Sequence, residues 1–151
     1  MARGYDQSVS MGNAGEHLVM AHLLVLGFAG TRHSLLRMKT TNAASVVWTR
    51  KKSGITVLDM RNENDYCCVV DMRGGVAAAR IFIVPTSVVQ SAIDDARADW
   101  NAGTRRDGLP RVDTAATRLL LNDRIDHRAW DGFEAKWQQY LGNWEQLGTP
   151  Y

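Results

Sequence analysis

The fold of this chain is decided by two nearly continuous apolar runs, residues 66–70 (YCCVV) and residues 81–84 (IFIV). Strands that are covered on both faces have this composition, whereas half-exposed strands alternate apolar and polar residues. We therefore expect both runs to be central strands of one sheet. Because Cys67 and Cys68 are adjacent in a strand, they should point to opposite faces, as small core residues and not as a disulfide or metal pair.

Helices are predicted on either side of this sheet. The first spans residues 11–27, with Ser10 as N-cap and Gly27 as the stop, and the second spans residues 86–100, capped by Thr86 or Ser87. Further strands are expected near residues 34–40, 45–50 and 55–60, a short helical piece near 114–121, and an aromatic-rich last helix from Asp131. The pattern predicts an α/β fold, a mixed central sheet of about five strands flanked by helices with a helical C-terminal tail.

Length and composition favour one domain. The chain has 151 residues, of which 45% are apolar, and only three prolines. We expect residues 1–151 to form this domain, with residues 1–9 flexible and residues 101–151 packing on the core as a loop and helical extension. Two cysteines, no leader-like start and no apolar run of spanning length predict a cytoplasmic protein without a membrane segment.

Charge is distributed unevenly along the chain. Residues 17–58 contain six Lys or Arg and no Asp or Glu, which predicts a locally positive face or, equally well, a solvated strand edge. Candidate nucleic-acid contacts are this basic set with Trp48 and two loop arginines, namely Arg32, Arg37, Lys39, Trp48, Arg50, Lys51, Lys52, Arg105 and Arg106. Burial is favoured over base stacking for Trp48, because tryptophan is usually mostly buried. The four histidines have no metal-binding spacing.

Two motifs resemble a known family. Residues 12–21 (GNAGEHLVMA) resemble the GxxGExxVxxxL first helix of small proteins in the PD-(D/E)xK nuclease superfamily, which includes Holliday-junction resolvases and many restriction enzymes. Residues 79–89 (ARIFIVPTSVV) resemble the FFIVPSxVV strand-to-helix passage of some bacterial members, whose tails also carry a basic loop and an aromatic-rich helix. The resemblance implies a restriction-endonuclease-like α/β/α sandwich.

The resemblance also implies a site, which this sequence matches only in part. In the family, an Asp on one strand and an Asp or Glu with a following Lys on the next bind a divalent metal, often with the first-helix Glu. In one alignment Lys39 matches the lysine and Arg37 replaces the acid. In the other, Asp59 matches an acid, while Ser45 and Arg61 replace the Asp and the Lys. Either alignment loses at least two of the three key positions, since arginine is not equivalent to lysine.

Three functions follow from these observations. The first is a catalytically inactive nuclease-fold protein that binds DNA or a protein partner through the basic, acid-free face, with no cofactor. The second is an active Mg²⁺-dependent endonuclease, in which Glu16 and Asp59 bind the metal and Lys39 or Arg61 supplies the catalytic cation. The third is a structural or assembly subunit that acts through self-association, as a homodimer. No nucleotide cofactor is expected, because no Gly-rich phosphate loop is present.

Overall fold

The computed structural model describes residues 3–27, 36–49, 64–121 and 136–148. In chain order, these residues form α1 (Arg3–Val25), β1 (Leu36–Thr41), β2 (Ser45–Thr49), β3 (Tyr66–Asp71), β4 (Arg80–Pro85), α2 (Thr86–Ala102) and β5 (Ala116–Leu120). Short 3₁₀ turns lie at Val76–Ala78, Gln138–Tyr140 and Trp144–Leu147. Neither α1 nor α2 is long and apolar enough to cross a membrane.

The strands form two small sheets, and the predicted single sheet of about five strands is not seen. One sheet has the order β1-β3-β4, with β3 parallel to β1 and antiparallel to β4, and the other pairs β2 with β5 in antiparallel fashion. The chain turns away after β1, where the Thr41 hydroxyl donates to Ser45 O and accepts from Ala43 N. This turn directs β2 out of the first sheet. The predicted strand near residues 55–60 lies outside the described residues.

The three-stranded sheet is buried on both faces, as the two apolar runs predict. Its α1-facing side carries Cys68, Val70, Ile81 and Ile83, which pack with Val19 and Leu23 of α1. Its other side carries Cys67, Val69, Phe82 and Val84, which pack against α2 and the β2–β5 sheet. The layers are therefore helix, sheet, and helix with a second sheet. The adjacent cysteines point to opposite faces, as expected, and both are buried free thiols.

The second run is an outer strand of its sheet, although we expected a central one. The free edge of β4 is covered by the C-terminal segment, because Gly142 N donates to Ile81 O and the Gln146 side chain donates to Ile83 O. An isolated bridge joins Phe82 to Leu141. These contacts bury an edge that would otherwise be open to another chain.

The same contacts explain why the predicted last helix is wrong over residues 136–148. This stretch forms two 3₁₀ turns separated by Gly142 at φ +61°, and its polar groups bond to β4 instead of to a continuous helix. Trp137 and Trp144, seven residues apart, would lie on one side of a helix, but in the structure they pack on opposite faces of the sheet. Asp131, the predicted start, lies outside the described residues.

Residues 114–121 were predicted to be helical and instead contain β5. Thr117, Leu119 and Leu121 are buried while Ala116 and Arg118 are exposed, which is the two-residue period of a half-buried strand. Leu119 lies opposite Val46, and Thr117 lies opposite Trp48. Pairing with β2 therefore outweighs the helix preference of this Ala- and Leu-rich segment.

The two helices differ from expectation mainly at their ends. α1 begins at Arg3 and not near Ser10, and it ends before Gly27, which adopts the left-handed φ of +82° as predicted. α2 buries Val89, Ile93 and Ala96 as predicted, but its first turn has no side-chain cap. Instead, Thr86 N donates to Asp65 O, which ties the start of α2 to the residue before β3.

Candidate functional site

The β1 strand carries two of the predicted basic residues on one face. Leu36 and Met38 pack in the cluster beneath α1, so the alternation of the strand places Arg37 and Lys39 on the opposite face. The Lys39 ammonium lies 5.4 Å from the centroid of the Trp48 ring. Both basic residues are half-buried, so this part of the basic stretch lies between the two sheets and is not a fully exposed edge.

Trp48 is buried, which was the favoured interpretation of this residue. It is 2% exposed and belongs to the core cluster beneath α2. A ring that is 2% exposed, with the Lys39 ammonium over it, has almost no accessible surface on which a base could stack.

Glu16 lies on the opposite side of the sheet from the Lys39 side chain. Its neighbour Gly15 is buried and packs directly on Thr40, so closely that a Cβ at Gly15 would lie 1.9 Å from Thr40 Oγ1. Glu16 itself is exposed. The contact fixes α1 against the face of β1 that carries Thr40, and Glu16 is on this helix. The Lys39 side chain lies on the other face of β1, next to Trp48. Within the described residues, the predicted catalytic acid and lysine are thus held on different faces.

Several predicted site residues lie outside the described residues. These are Arg32, Arg50, Lys51, Lys52, Asp59 and Arg61. Both alignments place their first segment on a strand, since residues 37–40 fall in β1 and residues 45–48 in β2. The second alignment also needs residues 58–61, which lie outside the described residues, so the structure does not choose between the two. Across residues 3–27, 36–49, 64–121 and 136–148, no three His, Cys, Asp or Glu side chains form a group that could bind a metal ion.

Arg105 and Arg106 lie at the tip of a tight hairpin after α2, which we name the arginine hairpin (residues 103–111). Arg105 N bonds to Leu109 O and Arg111 N bonds to Gly103 O, with an isolated bridge between Thr104 and Pro110. Gly108 closes the turn at φ +80°, a conformation that glycine adopts without strain. The hairpin therefore presents two exposed arginines on an ordered backbone.

An exposed aromatic ring lies at the base of this hairpin. Trp100, in the last turn of α2, is 43% exposed, and the Arg111 guanidinium lies 4.3 Å from its ring centroid. The Trp100 indole donates to Val112 O over 3.2 Å, and Arg111 Nε donates to Thr104 O over 3.2 Å. Gly103 allows the stack, because a Cβ there would lie 3.0 Å from the guanidinium carbon. The ring is thus held by its hydrogen bond to Val112 O, and the guanidinium is held by its hydrogen bond to Thr104 O.

A second arrangement, at the end of β3, was missed by the sequence analysis. Asp71 is 3% exposed and accepts hydrogen bonds from two arginines, Arg73 in the following turn and Arg80 opposite it on β4. The shortest contacts are 2.6 Å from Arg73 Nη2 and 2.8 Å from Arg80 Nη2, both to Oδ2. The sequence does contain a sign of this arrangement, because Asp71 ends an otherwise apolar strand and Arg73 follows two residues later.

The charges at this arrangement are strongly coupled. Burial opposes ionisation of Asp71, but hydrogen bonds from Arg73 and Arg80 outweigh it and lower the pKa of the carboxyl group to about 2. Asp71 therefore stays ionised throughout the physiological range. Each guanidinium donates to this one carboxylate through both its Nε and its Nη2.

The two cysteines have no chemical activation. Burial raises the pKa of the Cys68 thiol to about 12, and it also raises the pKa of Cys67, partly offset by a hydrogen-bond contact of 3.7 Å between Cys67 Sγ and Thr86 Oγ1. A thiol that resists ionisation is a poor nucleophile and a poor metal ligand. Their role is core packing, as predicted.

Comparison of the chain with protein-family models, with curated proteins and with solved structures finds no match in any of the three. The resemblance to the PD-(D/E)xK superfamily therefore remains a prediction that rests on the two quoted motifs. In the first motif, the contact between Gly15 and Thr40 gives a structural reason for the second glycine.

Proposed function

We propose that the protein binds nucleic acid without cleaving it, and that the arginine hairpin with Trp100 is the binding surface. The observation that carries this proposal is the exposed indole of Trp100, held on one side by Arg111 and adjacent to a tip with two exposed arginines. Aromatic rings beside basic groups bind single strands, because every base has a face that can stack.

The charge of the surface limits which nucleic acid fits. Asp94, Asp95 and Asp99 are exposed on α2, so the helix that leads into the hairpin has an acidic surface. Near the base of the hairpin, Arg97 forms a bidentate pair with Asp113 at 2.6 and 2.9 Å, and Arg111 supplies the cation beside Trp100. The arginine hairpin with Trp100 has few cations and one exposed aromatic ring. Such a surface favours binding of a short single-stranded segment over binding of a long duplex, which would need many phosphate contacts.

The separation of Glu16 and Lys39 supports the non-catalytic part of the proposal. Family members that cleave DNA need acid, lysine and metal at one point, whereas here Gly15, the residue before Glu16, packs on Thr40, and the Lys39 ammonium lies over the Trp48 ring on the other face of β1. Arg37 also stands where one alignment needs an acid. An active Mg²⁺-dependent endonuclease requires Asp59 as well, which lies outside the described residues.

Replacing Trp100 with alanine should weaken binding of a labelled single-stranded DNA oligonucleotide roughly tenfold, because loss of one base stack costs about 1–3 kcal/mol. Arg106→Gln should lower the slope of log affinity against log salt by about 0.7, the value for one phosphate contact on a single strand. Fluorescence anisotropy measures both effects. The controls are Val76→Ala, which removes another exposed apolar side chain, and Lys136→Gln, which removes another exposed cation.

Three results would contradict the proposal. They are absent binding by the unaltered protein, equal binding by Trp100→Ala, and a salt slope that Lys136→Gln changes as much as Arg106→Gln. Incubation of the bound oligonucleotide with Mg²⁺ tests the active-nuclease alternative in the same sample. We expect the oligonucleotide to be recovered intact, and cleavage that is lost in Glu16→Gln would replace our proposal with that alternative.

Self-association is a second candidate, and α1 provides its supporting observation. Met20, Leu24 and Val25 in the last two turns of this helix, and Leu26 just after it, are 40–86% exposed. The described part of the sheet covers only the side of α1 that carries Val19 and Leu23. A group of exposed apolar side chains of this kind is typical of an interface.

If this candidate is correct, Leu24→Glu should raise the dimer dissociation constant roughly tenfold or more, because a charge would be placed in an apolar contact. Sedimentation equilibrium measures the change. Val76→Glu introduces the same charge at a side chain that is 60% exposed elsewhere, and it should leave the association state unaltered. A monomeric unaltered protein at high concentration would eliminate the candidate.

A further inference from the structure

The Leu109 side chain is an apolar group within the arginine hairpin, and it is 54% exposed. Arg105 N donates to Leu109 O, and Arg111 N donates to Gly103 O. Leu109 and Arg111 are therefore two residues apart on the same strand of the hairpin, and their side chains point to one face at a spacing of about 7 Å. On this face the Arg111 guanidinium lies over the Trp100 ring, 4.3 Å from its centroid. An exposed apolar group thus lies beside the aromatic stack.

Arg105 is the cross-strand neighbour of Leu109 on this face. The two residues are a hydrogen-bonded pair of the hairpin, and paired residues on antiparallel strands share a face. The Arg105 side chain is about half exposed. The face therefore carries, from the base of the hairpin toward its tip, an aromatic ring with a stacked cation, an apolar side chain and a second cation.

The indole of Trp100 presents its ring to a ligand and has no hydrogen bond to offer. An indole has one N–H donor, and in Trp100 this group already donates to Val112 O over 3.2 Å. A base that stacks on the ring is consequently selected by its surface and not by hydrogen bonds from the indole. Proteins that bind single strands by stacking show preferences of this kind, among them preferences for pyrimidine runs.

Thymine is the pyrimidine whose surface matches an apolar neighbour of the ring. Its C5-methyl group is absent from uracil and from cytosine, and apolar side chains contact this methyl group when proteins recognise thymine. Thymine and uracil have the same hydrogen-bonding edge, so a protein can distinguish them only through the methyl group. An exposed leucine beside the stacking ring provides that contact.

We propose, on the basis of the nucleic-acid binding proposed above, that the hairpin prefers single-stranded DNA that contains thymine, and that Leu109 determines this preference. Trp100 stacks on the base, Leu109 contacts its C5-methyl group, and the arginines at the tip bind the phosphates. Because RNA normally contains uracil in place of thymine, the same contact favours DNA over RNA.

Competition measured by fluorescence anisotropy tests the preference on the full chain. Unlabelled oligonucleotides of equal length displace a labelled oligo(dT). We expect oligo(dU) to compete roughly threefold less well than oligo(dT), the effect of burying part of one methyl group. An oligonucleotide of 5-methyldeoxycytidine should compete better than oligo(dC) by roughly the same factor, because it adds the same methyl group to a base with a different edge.

Leu109→Ala should make the affinities for oligo(dT) and oligo(dU) equal. It should leave the salt dependence of binding unaltered, since no cation is removed. Val112→Ala is the matched control, because Val112 is 65% exposed and follows Arg111 directly, so the alternation of the strand places it on the other face. This variant should keep the preference. Thermal unfolding by circular dichroism verifies that both variants are folded.

The measurements distinguish failure of this inference from failure of the proposed function. Equal affinity of the unaltered protein for oligo(dT) and oligo(dU), or a preference that persists in folded Leu109→Ala, would overturn the role of Leu109 and leave nucleic-acid binding intact. Absence of binding to all four oligonucleotides would overturn both.

Discussion

Replacing Asp71 with asparagine is expected to lower the free energy of unfolding by about 2–3 kcal/mol. The carboxylate is 3% exposed and accepts four side-chain hydrogen bonds, two each from Arg73 and Arg80. An amide in its place has no charge, and its NH₂ group would face the guanidinium donors. The two cations would then repel each other without the group that separates them. This loss is smaller than the one expected for a fully buried ion pair, because both arginines are partly exposed.

Urea denaturation at neutral pH measures this effect, and Asp107→Asn is its matched control. Asp107 also lies near an arginine, with 3.9 Å between Arg105 Nε and Asp107 Oδ1, but both side chains are about half exposed. Solvent-exposed ion pairs contribute little to the free energy of unfolding, so Asp107→Asn should change it by less than about 0.5 kcal/mol. Equal losses in the two variants would show that the Asp71 arrangement adds no more than a surface ion pair does.

The pH dependence of the same variant follows from the pKa of Asp71, which is about 2 in the folded protein against an ordinary value of 3.8 for an aspartate. Because the folded pKa is depressed, the unfolded chain binds the proton first as the pH falls. The contribution of Asp71, about 2 kcal/mol, is therefore fully present above about pH 4 and is lost between about pH 4 and pH 2. The difference between the unaltered protein and Asp71→Asn should shrink over this window, and a constant difference would contradict the assigned origin.

Local composition predicted the centre of the fold, because burial on both faces leaves a direct trace in the sequence. The runs at residues 66–70 and 81–84 are strands, and the alternation of Cys67 and Cys68 across the sheet follows from the backbone geometry alone. The inner face of α2 was equally visible, since Val89, Ile93 and Ala96 repeat at helical spacing.

The elements that were predicted wrongly are those whose structure depends on a distant partner. Residues 116–120 have helix-favouring composition and become a strand because β2 is available to pair with them. Residues 136–148 have an aromatic period of seven, but their polar groups bond to the open edge of β4. Neither β2 nor the edge of β4 is adjacent in sequence, so no local pattern contains the information.

Only the part of the candidate site that is visible as a cluster of charged residues in the sequence could be predicted. Arg105 and Arg106 were identified from their cluster, but the stack of Arg111 on Trp100 depends on the hairpin closing between Thr104 and Pro110. Arg73 and Arg80 were missed because they are seven residues apart in the chain, and only the antiparallel register places Arg80 opposite Asp71. Long-range geometry thus determines both the stack of Arg111 on Trp100 and the Asp71 arrangement.

Gly15→Ala is expected to destabilise the protein by about 1–3 kcal/mol, although alanine is the better helix former. A Cβ at Gly15 would lie 1.9 Å from Thr40 Oγ1 and 2.9 Å from Thr40 Cβ and Cγ2. Rotation about χ1 of Thr40 can move the hydroxyl, but its Cβ is fixed by the backbone pairing of Thr40 with Val70. α1 must then move away from the sheet and give up contacts of Val19 and Leu23.

Gly12→Ala is the matched control in the same helix, because nothing lies within 4 Å of the position of its Cβ. It should stabilise the protein by about 0.5–1 kcal/mol, the helix preference of alanine over glycine. Thermal or urea unfolding measures both variants, and Gly15→Ala combined with Thr40→Ala should recover part of the loss, since Oγ1 and Cγ2 are removed. Stabilisation by both glycine replacements would disprove the close contact. The opposite signs that we expect would show that the second glycine of the GxxGE pattern serves helix–strand contact, so that this match reports how α1 packs and does not itself indicate catalysis.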